Sequence, residues 1–486
     1  MVPNKYIGDK SFYKKVIAIA LPIMLQNAIT NFVNLLDNIM IGSVGAEQLS
    51  AVAVSNQLIF VFNLCVFGIV SGAGIFTAQF YGRGDDDGVR NTMRLKLMLS
   101  AAITVIVAIC LAVFDRPLVS LWMNDDNNPE RVALTLSESH KYLMIIIVGL
   151  FPTFVTHCYS DTLRSSGETV VPMKAGAAAL VVNFALNYVL IFGIFGMKGL
   201  GVVGAAIATV TAKFVECAYI VTWTHRRKAQ HKFADGLYKT FRVPSDLAAS
   251  VAKTGFPLML NETLWGLGIT VLNQAYSLRG LEAVDAVSIS STMINMFNVA
   301  VMALGSAVGI IVGRDLGAGD LKRAREDDTR MLAFTVAVST VMGAIVFAAA
   351  PLLTLQYKVS PDTAATAVSL IRISAVLMPI NGFLHSSYFT LRSGGKTVVT
   401  FLFDSAFVWC IVVPTGFIIG RYTSLPVVPF VLACQSADII KAVVGFILVK
   451  KGIWLNDMVG DSRDSDSGCE SVSLSPSDNE PGSDRI

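Results

Sequence analysis

Carboxylates and amides set inside long apolar stretches are the residues of this 486-residue chain that could do chemistry. Asp37 lies in FVNLLDNIMIG, fifteen residues after Pro22. A carboxylate placed there can bind Na⁺ or take up a proton, and its charge changes as it does so. Asn183 and Asn187 stand four apart in VVNFALNYVLIFG, so on a helix their amides share one face. Amide oxygens suit a hard cation, and the same pair could equally join helices by hydrogen bonds. Glu262, in PLMLNETLWGLG, is a second such acid. Asp404, in FLFDSAFVW, is a third, close enough to Thr397 to be either functional or interfacial.

Other ionisable residues read as structural. His157 and His385 show no chemistry beyond hydrogen-bonded packing. Asp161 with Arg164, and Asp438 with Lys441, are each spaced for an i,i+3 pair on one helix. No Walker A lysine loop is present, the glycine-rich GRGDDDG does not follow a strand, and no Cys/His spacing suits zinc. The seven cysteines read as small buried hydrophobes without disulfides, except Cys469 in the tail. These absences argue against an ATP-driven pump, a catalytic membrane enzyme and any organic cofactor.

The elements that must position these residues are membrane helices. Hydrophobic residues make up 53% of the chain and charged residues 15%, with mean hydropathy +0.61. Soluble domains carry roughly a quarter charged residues. Apolar runs of twenty or more residues recur, each long enough to cross roughly 30 Å of hydrocarbon, and only a helix satisfies its own backbone there. Twelve spans follow, in an all-α polytopic membrane protein. Of the 38 Lys and Arg, 28 fall on the side of the termini and 8 on the other, with Lys213 and Lys441 inside spans. The positive-inside rule then places both termini in the cytoplasm of a cell-membrane protein.

The spans form two copies of one unit. A shift of 235 places Pro22 on Pro257, Ser71 on Ser306, and Gly82, Gly84, Asp85 and Arg90 on Gly317, Gly319, Asp320 and Arg325. Further along, a shift of 228 places Thr162-Leu163-Arg164-Ser165 on Thr390-Leu391-Arg392-Ser393, and His157 on His385. Six spans per copy give both copies one orientation, so the pseudo-two-fold axis runs along the membrane normal and substrate is expected between the lobes. The predicted organisation is a cytoplasmic N-terminus (1–15), a first six-helix lobe (16–223), a basic cytoplasmic linker (224–246), a second lobe (247–455) and a disordered tail (456–486). That tail holds eight acidic residues and eight serines. In this frame Glu262 aligns with Asn27 and Asp37 with Leu272, so the acids are not symmetry mates and differ in depth by roughly 15 Å.

Several segments together resemble the multidrug and toxin extrusion (MATE) family across roughly residues 12–453. They are ALPIMLQNAITNFVNLLDNIMIG, AQFYGRGDDDGVR, LRSSGETVVP, NYVLIFG with GLGVVGAAIAT, GFPLMLNETLWGLG, GRDLGAGD and LRSGGKT. The resemblance implies a V-shaped two-lobed bundle that exchanges drug-like organic molecules, chiefly cations, for Na⁺ or H⁺ by alternating access. It places Asp37 on the cation or proton step, joined by Asn183 and Asn187, and these three would hold Na⁺ in a sodium-coupled protein. Glu262 falls in the segment that holds an acid in some members. An aspartate of those members falls here on Asn381, which cannot ionise, and this shifts the expected coupling site to the first lobe. Substrate contacts are expected from Glu262, Asn381 and Asp404. The expected partners are small organic substrates and the lipid bilayer, with no nucleic acid, in a monomeric protein. The rival is a flippase for a lipid-linked sugar on a related fold, whose cavity would need free Arg and Lys.

Overall fold

The computed structural model describes residues 6–120, 129–193, 198–357 and 359–460. The expected tail beyond 460, Cys469 included, lies outside the described residues. Twelve long helices account for most of what is described: α1 Lys10–Gly42, α2 Ala46–Arg83, α3 Asp86–Ser120, α4 Pro129–Ser165, α5 Val170–Phe192 and α6 Val202–Arg226, then α7 Ser245–Ser277, α8 Leu281–Gly317, α9 Leu321–Thr354, α10 Pro361–Ser393, α11 Thr397–Tyr422 and α12 Val427–Lys451. Eleven of them are long and apolar enough to cross a membrane. The exception is α7, whose apolarity is lowered by Asn261 and Glu262 at its centre. Large apolar side chains such as Val113, Val181, Leu352 and Val376 are exposed along the helices, as a surface bathed in lipid requires.

The repeat has a geometric basis at the turn between the second and third helix of each lobe. Gly84 and Gly319 have φ of 78° and 76°, a region that favours glycine. The following Asp85 and Asp320 carboxylates then accept from Gly88 N and Arg323 N at 2.9 Å each, starting α3 and α9. Gly82 and Gly317 serve a different purpose. Each leaves room for the backbone of the other lobe, Gly82 against the Arg314 carbonyl and Gly317 against that of Gln79.

The first lobe is built on a core that includes Phe62, Val66, Met93, Leu150, Tyr159 and Ala205. The second has a core on α8–α10 that also takes in Phe12, Val16, Ile19 and Ile23 from the first half of α1. Helix α1 therefore straddles the lobes, with Pro22 removing a backbone hydrogen bond between its two parts. Helix α2 packs on α7 where Gly68 and Gly72 meet Met259 and Gly255. In α11, residues Leu402–Ala406 and Val408–Val412 form widened π-helical turns, a feature often found at functional positions.

The segments that follow each lobe both pack on the bundle. The basic linker is folded, with Phe233 and Leu237 buried and Arg90 and Arg94 of α3 donating to the carbonyls of Lys232 (2.9 Å), Gly236 (2.7 Å) and Leu237 (2.9 Å). The stretch 456–460, expected to be disordered, is instead packed into the bundle: Val459 is 2% exposed among Ala73, Phe76, Leu95 and Val251. Composition misled here because two apolar residues, Met458 and Val459, and a few hydrogen bonds, rather than overall hydrophobicity, dock it.

Candidate functional site

Two polar clusters lie inside the spans, one per lobe. In the first, Asn187 Nδ2 donates to Asp37 Oδ1 at 2.5 Å and to Asn183 Oδ1 at 3.1 Å, joining α1 to α5. The chain continues through Asn183 Nδ2 to Thr209 Oγ1 on α6 at 3.4 Å. Both asparagines are buried, and Asn187 Oδ1 has no hydrogen-bond partner among the described residues. A buried amide oxygen left unpaired costs free energy unless a ligand meets it. One carboxylate, two amides and a hydroxyl are the hard oxygen donors that suit Na⁺, and the carboxylate alone can hold a proton. The residues present therefore fit either coupling ion. Thr209 is not singled out by sequence, because a threonine in an apolar span carries no signal until its neighbour is known.

The second cluster joins α7, α10, α11 and α12. Tyr388 OH donates to Glu262 Oε1 at 2.6 Å. Beside it, Asn261 donates to Asp404 Oδ2 at 3.1 Å and accepts from Ser405 Oγ at 2.7 Å. Lys441 Nζ meets Asp404 Oδ1 at 2.6 Å, with only 10% and 16% of the two side chains exposed. The widened turn of α11 presents Asp404 and Ser405 at this junction. Glu262 and Asp404 thus share one network through Asn261 and Tyr388. Asn381, expected to contact substrate, is not hydrogen-bonded to this network among the described residues; its carbonyl meets His385 Nδ1 at 2.9 Å on its own helix. Asn261 and Tyr388 are the members that sequence reading overlooks, since neither ionises within the membrane.

Two expected pairs are corrected. Lys441 meets Asp404 on a different helix rather than Asp438 one turn away. Asp161 meets Lys96 of α3 at 2.6 Å, while Arg164 donates to Gln26 of α1. Lys96 is fully buried. Charges enclosed between helices take the partner that the interface supplies, and spacing along one helix does not reveal it.

The two lobes can be matched independently to one family. The MatE family model covers residues 22–189 and again 257–418, more than half of the chain. This chain belongs to the MatE family. The matched segments lie one in each lobe, and between them they contain Asp37, Asn183, Asn187, Glu262, Asn381 and Asp404. Among curated relatives, the probable multidrug resistance protein NorM of Thermotoga maritima is 22% identical, covering 91% of this chain and 93% of its own length. The probable multidrug resistance protein YoeA of Bacillus subtilis is 21% identical, covering 86% and 89%. A solved outward-facing multidrug resistance MATE family transporter superposes with a TM-score of 0.80 at 18% identity, covering 92% and 97%. The chain is thus a MATE family transporter, a multi-pass membrane protein with the two-lobed twelve-helix fold. Lys441 and the packed segment 452–460 lie beyond the matched regions.

Proposed function

We propose that this MatE protein is a secondary antiporter that exports organic cations in exchange for Na⁺ or H⁺, with its termini in the cytoplasm. The observation that carries the reading is the Asp37–Asn187–Asn183 cluster with its unpaired amide oxygen. An ion held there neutralises a carboxylate in a poorly solvated place and gives Asn187 Oδ1 a partner. Exchange requires such a ligand to favour one conformation over another, since a ligand shifts an equilibrium only through differential affinity. Asp37 sits on α1, the helix that straddles both lobes, so ion occupancy can bias how they meet.

Glu262 is proposed to receive the cationic substrate. Its hydrogen-bond partner is a neutral phenol, whereas Asp404 is already met by Lys441. Asp404 therefore acts through Asn261 and Lys441, and Asn381 shapes the wall rather than binding charge. The flippase reading loses its support because Lys96, Lys213 and Lys441, lysines set within the helices, meet Asp161, Glu216 and Asp404 and offer no free cationic cradle for pyrophosphate.

Efflux of a fluorescent organic cation from proteoliposomes, under separately imposed ΔpH and ΔpNa, tests the proposal. One of the two gradients should drive efflux. Equal rates with and without both gradients would remove antiport.

A further inference from the structure

At the end of the bundle that carries the termini, the lobes clasp each other through matched contacts of unequal strength. Arg314 of α8 donates Nε and Nη2 to the Ser165 carbonyl, where α4 ends, at 2.9 and 2.8 Å, and stacks on Tyr81 at 4.8 Å. Its repeat mate on α2 is Gln79, which donates Nε2 to the carbonyl of Ser393, where α10 ends, at 3.0 Å. Ser165 and Ser393 are themselves repeat mates. One half of the clasp is thus a cation with two hydrogen bonds at the negative end of a helix, and the other is a neutral amide with one.

The weaker half has an addition that the stronger half lacks. After α12 the chain turns at Gly452, buries Trp454, and runs along Gln79. Gln79 Oε1 accepts from Met458 N at 2.8 Å and its Nε2 also reaches the Asn456 carbonyl at 3.3 Å. Arg83 donates to the Val459 carbonyl, and Asn456 Nδ2 reaches Gly394 O at 3.4 Å. Val459 fills an apolar socket shared by Ala73, Phe76 and Leu95 of the first lobe and Val251 of α7. A segment tethered to the second lobe is therefore seated on the first.

We propose that residues 452–460 form a latch, with Gln79 as its receptor, which holds this end of the lobe interface closed and must undock before the transporter opens to the cytoplasm. The inference rests on the alternating-access reading above. It makes Gln79 a positioning residue of the transport cycle, acting on the lobe equilibrium without contact to substrate or ion.

The experiment measures lobe separation in the full chain in nanodiscs, free of native cysteines, with spin labels at Asp87→Cys and Lys322→Cys. These exposed positions are repeat mates at the starts of α3 and α9. Truncation after Lys451 should raise the ratio of long to short separations roughly tenfold or more, since each net hydrogen bond contributes about a fivefold factor. Truncation after Gly460 should leave the wild-type distribution. Gln79→Leu and Val459→Asp, single substitutions that preserve chain length, should shift the ratio in the same direction. Gln79→Arg in the chain truncated after Lys451 should restore the short separation by copying Arg314. Wild-type distances in folded Gln79→Leu and Val459→Asp would overturn the latch, as would an equal shift from truncation after Gly460. The measurement needs neither substrate nor gradient, so a failure of cation export and a failure of the latch are read separately.

Discussion

The two lobes share a chain path but divide the chemistry between them. Where the first lobe carries Asp37, Asn183 and Asn187, the second has Leu272, Ile411 and Thr415 at the repeat-matched positions. Where the second carries Asn261, Glu262 and Asp404, the first has Gln26, Asn27 and Gly176. A lysine does recur within the spans at matched positions, Lys213 and Lys441, but this pair is used differently. Lys213 meets Glu216 on its own helix at 3.0 Å with 38% of its side chain exposed, whereas Lys441 is enclosed and meets Asp404 on the neighbouring helix. The segments that follow the lobes repeat the contrast. Residues 227–244 fold back on the first lobe, and 452–460 cross over to it from the second. Duplication thus preserved the scaffold and left each copy with a different polar cluster.

The sharpest way to break this division is at Asp37. Asp37→Asn should fold and reach the membrane, yet its gradient-driven efflux should fall to the level of protein-free liposomes. Wild-type efflux in this variant would move coupling out of the first lobe. Glu262→Gln should raise the KM for cationic substrates roughly tenfold or more, because a buried charge pair is worth several kcal/mol when one partner is lost. Neutral substrates should change far less, and an equal change for both classes would assign Glu262 to coupling or structure instead.

The matched lysines offer a stability test of the same contrast. Lys441→Met leaves the Asp404 carboxylate enclosed and unpaired, and should cost about 3–5 kcal/mol of unfolding free energy, with the double variant Lys441→Met/Asp404→Asn recovering most of it. Lys213→Met should cost about 0.3–0.5 kcal/mol, as expected for an i,i+3 pair with a partly exposed lysine. Similar losses at both positions would show that the pairs are equivalent after all.

The smallest effect is expected in the linker. His231 lies outside the spans, is buried beside Trp223 with ring centroids 5.3 Å apart, and its Nε2 has no partner among the described residues. Burial lowers its pKa from the ordinary 6.5, opposed by Glu168 and assisted by Arg227. Its neutral form is therefore favoured in the folded linker. That contribution to stability is fully present above 6.5 and is lost as pH falls through the lowered value. A variant with Trp223 as its sole tryptophan should lose fluorescence with a midpoint below 6.5, and His231→Gln should abolish the transition. A midpoint at or above 6.5 would mean that the linker is undocked from the first lobe.

Much of the architecture is legible in sequence because the membrane leaves few choices. Apolar length defines the spans, and the recurring Gly-x-Gly-Asp turn betrays the duplication before any contact is known. Asp37 stands out for the same reason, since a carboxylate amid Leu and Ile demands an explanation. What the sequence hides is partnership between helices. Asp438 is the nearest acid to Lys441 along the chain, but Asp404 is nearer in space. Thr209, Asn261 and Tyr388 are ordinary residues until the fold places them beside a carboxylate. The docking of 456–460 is hidden for a related reason, because its receptor, Gln79, lies more than 370 residues earlier.

The exchange in which Gly82 meets the Arg314 backbone while Gly317 meets that of Gln79 has the form of an isologous contact, where one patch serves both partners. A six-helix unit bearing that patch is self-complementary, so the fused chain is in effect a covalently tethered homodimer whose protomers have diverged. Tethering keeps the two in one-to-one ratio and in register. A substitution fatal to a symmetric pair, appearing twice at every event, here appears once and can be answered by its neighbour. The neutral amide at position 79, matched in the other half by an arginine at 314, is the kind of inequality that only a heterodimer can hold.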